Sequence, residues 1–257
     1  MARDHDLAAS VAAEAAELLL SIRRSGDDPE SLRATGDRLS NELIARRLAE
    51  ERPDDPVLSE EGARTAKRGG RTWVVDPLDG TREFREPGRE DWAVHVALVV
   101  DATAVAGAVA LPARSVVLST GAPPALPSPT RRRPRIVVSR TRPPVFAEAF
   151  AEALGGELVP LGSAGAKTAA VVTGEADVFV HAGGQHAWDT AAPAAVALAA
   201  GAHVSRLDGS PLHFDCADPW TPDILVCRPE LREAALAVLA SSRAVQRPGG
   251  EHERERR

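Results

Sequence analysis

The sequence predicts a mixed fold, an α+β N-terminal half joined to an α/β C-terminal half, and three observations carry that expectation. Two stretches with apolar residues at helical spacing open the chain, and four apolar runs bounded by turn residues follow them. From residue 135 onward, strand-like and helix-like stretches alternate. Between the halves lies "GAPPALPSPTRRRPR" (121 to 135), rich in Pro and Arg and without apolar periodicity. We therefore expect domains over 1–125 and 126–243.

The first helix is expected over 6 to 24, with Leu7, Val11, Ala15, Leu18 and Ile22 on one face, Asp6 as N-cap and Gly26 beyond its end. The second is expected over about 38 to 51, with the stripe Leu39, Leu43, Ile44 and Leu48, stopped by Pro53. "TWVVD" (72 to 76), "AVHVALVV" (93 to 100), "ATAVAGAVAL" (102 to 111) and "SVVLST" (115 to 120) read as strands of a mostly antiparallel sheet flanked by those helices. In the second half we expect strands at 135 to 139, 157 to 160, 177 to 180 and 223 to 227. Helices are expected at 144 to 154, 163 to 173, 190 to 200 and 229 to 241. Residues 244–257 are charged, lack an apolar face and read as a disordered tail.

Composition narrows the function classes. A net charge of −6 and a pI near 5.7 exclude a broad basic footprint for nucleic acid or membrane, so any anionic substrate must be met locally. Cys216 and Cys227 lack ligand-like spacing, which argues against a disulfide framework and for a reducing compartment. No secretion signal or long apolar run is evident, so a cytoplasmic location is expected.

Chemistry is concentrated in four acidic segments. In "VVDPLDGTREF" (74 to 84), Asp76 ends an apolar strand and Pro77 forces a turn that can bring Asp79 back beside it. Hard divalent cations want such oxygens, and the Leu78 carbonyl is a possible third ligand; an Asx-type turn with a solvated second acid is the bland reading. "VLSEEG" sets Glu60 and Glu61 after an apolar stretch, where they are either ligands or a solvated loop. Asp189 in "AWDTAAPAAVALAAG" and Asp37 before the second helix are either functional acids or helix caps. His181 and His186 flank "AGGQ" near Asp189, but their spacing is not helical, and His95 within its apolar strand reads as a core or sheet-face residue. The arginines at 131 to 133 read as a solvated loop rather than an RNA contact.

Taken together, "SEEG", "WVVDPLDGT" and "WDTAA", in that order, resemble the signatures of the inositol monophosphatase superfamily, and within it the bacterial 3'(2'),5'-bisphosphate nucleotidases of the CysQ type. The resemblance implies a layered α/β/α/β/α sandwich and a magnesium-dependent, lithium-sensitive phosphomonoesterase with two or three Mg²⁺ ions. It implies Glu60, Asp76 and the Leu78 carbonyl around the first metal, and Asp79 and Asp189 around the second. Thr81 with Asp37 would orient and deprotonate the attacking water, and Glu60 joins the catalytic set. Asp37 lies 23 positions ahead of Glu60, as expected of a member, though the family's T-x-A-D reads here as "TGD". The amides of Gly80 and Thr81 would open a short helical turn and hold the scissile phosphate.

"DGTREF" leans toward the nucleotidase branch, as do "VVSR" (137 to 140) and "GSAGAK" (162 to 167). Ser139, Arg140, Ser163 and Lys167 are then candidates for a second phosphate and the ribose, against plainer roles for Ser163 as an N-cap and for Lys167 as a solvated side chain. In "HVSRLDGSPLHF" (203 to 214), Arg206 and Asp208 are placed near the base. Pro193 stands where the family carries Gly, tolerable in a first helical turn. The function implied is removal of the 3'-phosphate of adenosine 3',5'-bisphosphate, with its sulfated precursor as a second candidate substrate, in sulfur assimilation. Inositol-1-phosphatase or fructose-1,6-bisphosphatase on the same acidic core is the alternative, and a catalytically dead regulator a third. The implied partner is a small phosphate ester, with the protein a monomer or homodimer.

Overall fold

In a computed structural model of the chain, residues 2–25, 28–62, 70–129 and 133–245 are described. The chain runs through helices α1 (Ala2–Arg23) and α2 (Pro29–Glu51), strands β1 (Val57–Ser59) and β2 (Arg71–Asp79), and the short helix α3 (Thr81–Arg85). Strands β3 (Ala93–Val100), β4 (Thr103–Leu111) and β5 (Val116–Ser119) complete the first half. The second half comprises β6 (Arg135–Ser139), α4 (Ala147–Ala153), β7 (Glu157–Leu161), α5 (Ala164–Val172) and β8 (Val178–His186). It ends with α6 (Ala187–Ala199), β9 (His203–Ser205), β10 (Trp220–Cys227) and α7 (Arg232–Val245).

The first sheet has the order β1-β2-β3-β4-β5, antiparallel except for the parallel β1–β2 pair. The second has the order β7-β6-β8-β10-β9, with parallel pairing of β6 to both neighbours and antiparallel pairing of β10. Side chains alternate across each strand and so feed different cores. Trp73 and Val75 join the core under α1 and α2, whereas Val74 faces the middle of the molecule. Val137 likewise faces the middle, while Ile136 and Val138 face α4 and α7. Helices α5 and α6 lie between the two sheets, packed on β3 and β4 of one and on β8 and β10 of the other. The result is five layers, α/β/α/β/α, with the middle core drawn from both halves of the chain.

Several boundaries differ from expectation. Helix α1 includes Asp6, so that residue is not its cap. Helix α2 begins at Pro29 behind Asp28, whose carboxylate accepts from the Glu30 and Ser31 amides, so Asp37 lies mid-helix and caps nothing. The expectation stopped short because Gly36 looks like a breaker. Here it is a contact point, since a Cβ at that position would come within 3.1 Å of both Leu78 and Phe84. Strand β8 runs on to His186 through Gly183 and Gly184, both at positive φ, and α6 starts at Ala187. Pro193 therefore sits inside the helix rather than in its first turn, where it removes the donor that would reach the Asp189 carbonyl. The tail expected over 244–257 lies outside the described residues beyond Val245. Among the described residues no helix is long and apolar enough to cross a membrane.

Candidate active site

The carboxyl end of β2 builds the centre of the site. The β2–β3 ladder pairs Asp76 with His95 and then Asp79 with Ala93, a register shift that takes Pro77 and Leu78 out of step and turns Asp79 back toward Asp76. The Asp76 carboxylate accepts from the Leu78 amide at 3.1 Å, and Ser40 donates to the Pro77 carbonyl at 2.8 Å, which fixes the bulge from both sides. Asp189 arrives from the first turn of α6. Its carboxylate accepts from the His186 amide at 2.6 Å, so the capping role and a place in the acidic cluster coexist. Oxygen atoms of Asp76, Asp79 and Asp189 all lie within 4.8 Å of one another. Glu60, in the turn after β1, stands outside that trio on the wall of the same cleft.

The electrostatics of this group follow from its crowding. Burial, reinforced by the Asp79, Glu60 and Asp189 charges, pushes Asp76 well above the usual carboxylate range. Burial and Asp79 carry Asp189 up to about 6. Glu60 is exposed as a residue, but desolvation of its carboxyl group, with the Asp189, Asp79, Glu61 and Asp37 charges nearby, carries it up to about 7. Asp79 is the exception. Burial works to raise it too, but the His95 ring, the Lys167 ammonium and the Gly165 amide at 2.9 Å hold it below its ordinary value. His95 Nε2 faces Asp79 Oδ2 at 3.2 Å while Nδ1 meets the Trp188 carbonyl at 3.0 Å. Burial opposes protonation of His95, yet Asp79 raises it. Gly165 allows this contact, because a Cβ there would lie 2.2 Å from His95 Nε2.

This carries a consequence for pH. Glu60, Asp189 and Asp37 bind protons in the folded state at pH values where the unfolded chain, near 4, has released them. Their contribution to stability is present at low pH and is lost as pH rises through about 6 to 7. Thermal denaturation after chelator treatment should therefore give a higher Tm at about pH 5.5 than at about pH 8, and added divalent cation should raise Tm more at the higher pH. A Tm of the chelated protein that climbs from about pH 5.5 to 8 would contradict this.

Around the cluster, a cleft of about 380 Å³ is lined by Thr81, Ser139, Ser163, Lys167 and Asp189 among others. Gly80, at φ +85°, turns the chain from β2 into α3, and a Cβ on it would come within 3.0 Å of Ser163. Ser163 caps α5 by accepting from the Ala166 amide at 2.8 Å and still lines the cleft. Lys167 is buried, not solvated. Its ammonium donates to the Gly162 and Ser163 carbonyls and lies over the Phe179 ring, and burial pushes it down to about 8 against the pull of Asp79 and Glu83. Asp37 is buried in α2, with Arg33 Nε 3.5 Å away, and burial and Glu61 carry it up to about 6.

Two expectations are redirected. Arg140 does not line the cleft; its guanidinium is held by Glu83 at 2.7 Å and Glu86 at 2.7 Å. Among the described residues the cleft is lined instead by the cations Arg82, Arg142 and Lys167. Arg206 is forked onto Asp223 at 2.8 and 2.9 Å and Asp208 hydrogen-bonds Ser210, and neither lines the cleft. Of the arginines at 131 to 133, the first two lie outside the described residues, and Arg133 donates to the Gly156 carbonyl.

Comparison with known proteins gives the family and the fold. Residues 4–244 match the sequence profile of the Inositol monophosphatase family. The chain is 47% identical over 250 residues to the 3'-phosphoadenosine 5'-phosphate phosphatase of Mycobacterium tuberculosis, covering 89% of this chain and 90% of that one. It is 34% identical over 175 residues to the 3'(2'),5'-bisphosphate nucleotidase CysQ of Escherichia coli, covering 63% and 71%. The crystal structure of CysQ from Bacteroides thetaiotaomicron superposes with a TM-score of 0.79 at 28% identity, covering 89% and 98%.

Proposed function

The chain belongs to the inositol monophosphatase family, and on that premise we infer that it is a 3'(2'),5'-bisphosphate nucleotidase, removing the 3'-phosphate of adenosine 3',5'-bisphosphate to leave AMP. The observation that carries this reading is the convergence of Asp76, Asp79 and Asp189, the last two of which line a cleft that also presents Lys167, Arg82 and Arg142. We propose the sulfated precursor of that nucleotide as a second substrate and sulfur assimilation as the process served.

The acidic group suits a hard divalent cation. Its members are oxygen donors, they repel one another without a counter-charge, and no histidine belongs to the trio. Asp76, Asp79 and Asp189, with Glu60 and the Leu78 carbonyl, would hold two or three Mg²⁺ ions, which when bound supply a more acidic water and neutralise charge on the phosphate. Lithium inhibition is expected at the same ligands.

The remaining work falls to the chain itself. The Gly80 and Thr81 amides donate to the scissile phosphate at the turn into α3. The Thr81 hydroxyl orients the attacking water, and Asp37, poised near 6, takes its proton. The water oxygen bonds to phosphorus as the bond to the ribose 3'-oxygen breaks, and that oxygen takes up a proton to complete the alcohol. Ser139, Ser163, Lys167 and Arg142 face the second phosphate and the ribose. Arg140 acts at one remove, fixing Glu83 behind Gly162, where a Cβ would lie 2.3 Å from the Glu83 carboxyl carbon.

Steady-state rates in Mg²⁺ on adenosine 3',5'-bisphosphate, inositol 1-phosphate and fructose 1,6-bisphosphate test the assignment. We expect kcat/KM for the nucleotide to exceed the others by tenfold or more, on the order of 1.4 kcal/mol of discrimination. Preference for inositol phosphate would overturn it.

A further inference from the structure

Beside Asp189 the cleft wall is aromatic, and among the described residues the cleft lining contains two buried acceptors that nothing satisfies. Trp220, half exposed at 52%, lines the cleft beside Trp188 and His186. His186 stacks on Trp188, with centroids 4.5 Å apart and planes inclined by 10°, and meets Trp220 edge-on at 5.6 Å. Trp220 lies so close over Gly184 that a Cβ there would fall 1.8 Å from its ring, so the bare backbone fixes the indole in place. On β8, His181 and Gln185 also line the cleft. His181 is 5% exposed, and its Nε2 lies 3.3 Å from the Gly184 carbonyl. A carbonyl only accepts, so the ring proton sits on Nε2 and Nδ1 is left as an acceptor. Burial holds His181 down to about 4, which keeps the ring neutral. Among the described residues, neither His181 Nδ1 nor Gln185 Oε1 has a hydrogen-bond partner. Such orphaned acceptors are rare in native interiors, and a ligand that carries donors resolves them.

We propose that Trp220, His181 and Gln185 form a base subsite, in which an aminopurine stacks on the indole and its exocyclic amine donates one hydrogen to His181 Nδ1 and the other to Gln185 Oε1. The proposal rests on the nucleotidase reading and adds the selection of adenine over a purine with no amine, or with a carbonyl, at the 6-position. A 6-carbonyl would set an acceptor against two acceptors, and a bare 6-position would leave both orphaned. Stacking on one aromatic face binds any base, whereas the two acceptors supply the choice.

The test compares KM and kcat for the 3',5'-bisphosphates of adenosine and of purine riboside, which lacks the 6-amine, with inositol 1-phosphate as an ester without a π face. Wild-type enzyme should show a KM for the adenosine compound about tenfold lower than for the purine riboside compound. Trp220→Ala should raise KM for both nucleotides by about tenfold with kcat changed far less, and Trp220→Phe should recover most of the loss. Gln185→Leu should narrow the ratio between the two nucleotides, with buried His181 left in place to protect folding. Equal KM values for the two nucleotides in the wild type, or Trp220→Ala matching it, would overturn the subsite while leaving the nucleotidase assignment standing. A wild-type enzyme that prefers inositol 1-phosphate would overturn both.

Discussion

Asp76→Asn is expected to lower phosphate release by about 10³-fold or more while making the chelated protein more heat-stable. The side chain is buried, and its charge faces Asp79, Glu60 and Asp189. Asparagine keeps the shape and the acceptor for the Leu78 amide but removes the repulsion, a gain of about 1 to 2 kcal/mol at neutral pH, the scale of one displaced pKa unit. The same charge is what a bound cation requires. Melting curves in chelator near pH 8, set beside rates in Mg²⁺, check both halves. A lower Tm for the variant would contradict the view that this carboxylate is strained without a counter-charge.

Asp79→Asn should lose activity to the same extent and yet move stability the other way. Asp79 is the member of the cluster held below the usual carboxylate range, between His95 at 3.2 Å and the Lys167 ammonium, and it accepts from the Gly165 amide. Neutralising it removes the carboxylate that acts most strongly on the buried His95 ring and Lys167 ammonium, a loss of about 2 kcal/mol in the chelated protein. The His95 imidazole, raised by this partner, should titrate lower in the variant, which NMR of its ring protons would read directly. Activity unchanged in Asp79→Asn would remove it from the reaction centre. Two aspartates three positions apart thus share a consequence for catalysis and part company in stability.

That difference is invisible in the sequence, and the reason is instructive. The apolar runs at 93 to 100 and 135 to 139 are read to the residue because burial of a strand is written in its own composition. The acids at 60, 76, 79 and 189 are each open to a plainer reading on local spacing, and it is the ordered motifs "SEEG", "WVVDPLDGT" and "WDTAA" that single them out. His95 is not legible in this way. Its meaning comes from the ladder that sets it opposite Asp76 and from the bulge that swings Asp79 onto it, and both depend on a strand 14 or more residues away. Arg140 misleads for a similar reason, because Glu83 and Glu86, which engage it, come from the other half of the chain. Strand β8 extends past Val180 through "AGGQ", which has no apolar pattern, because β10 supplies the pairing. The start of α2 is lost behind Gly36, where close packing against Leu78 and Phe84 overrides helix propensity.

The central claim is that Asp76, Asp79 and Asp189 gather around divalent cation in a cleft that receives a phosphate ester. Crystals grown with Mn²⁺ and measured at an energy where manganese scatters anomalously test it most directly. The account predicts anomalous density bounded by those three carboxylates, within coordination distance of each. Density elsewhere on the protein, with none between these side chains, would contradict it.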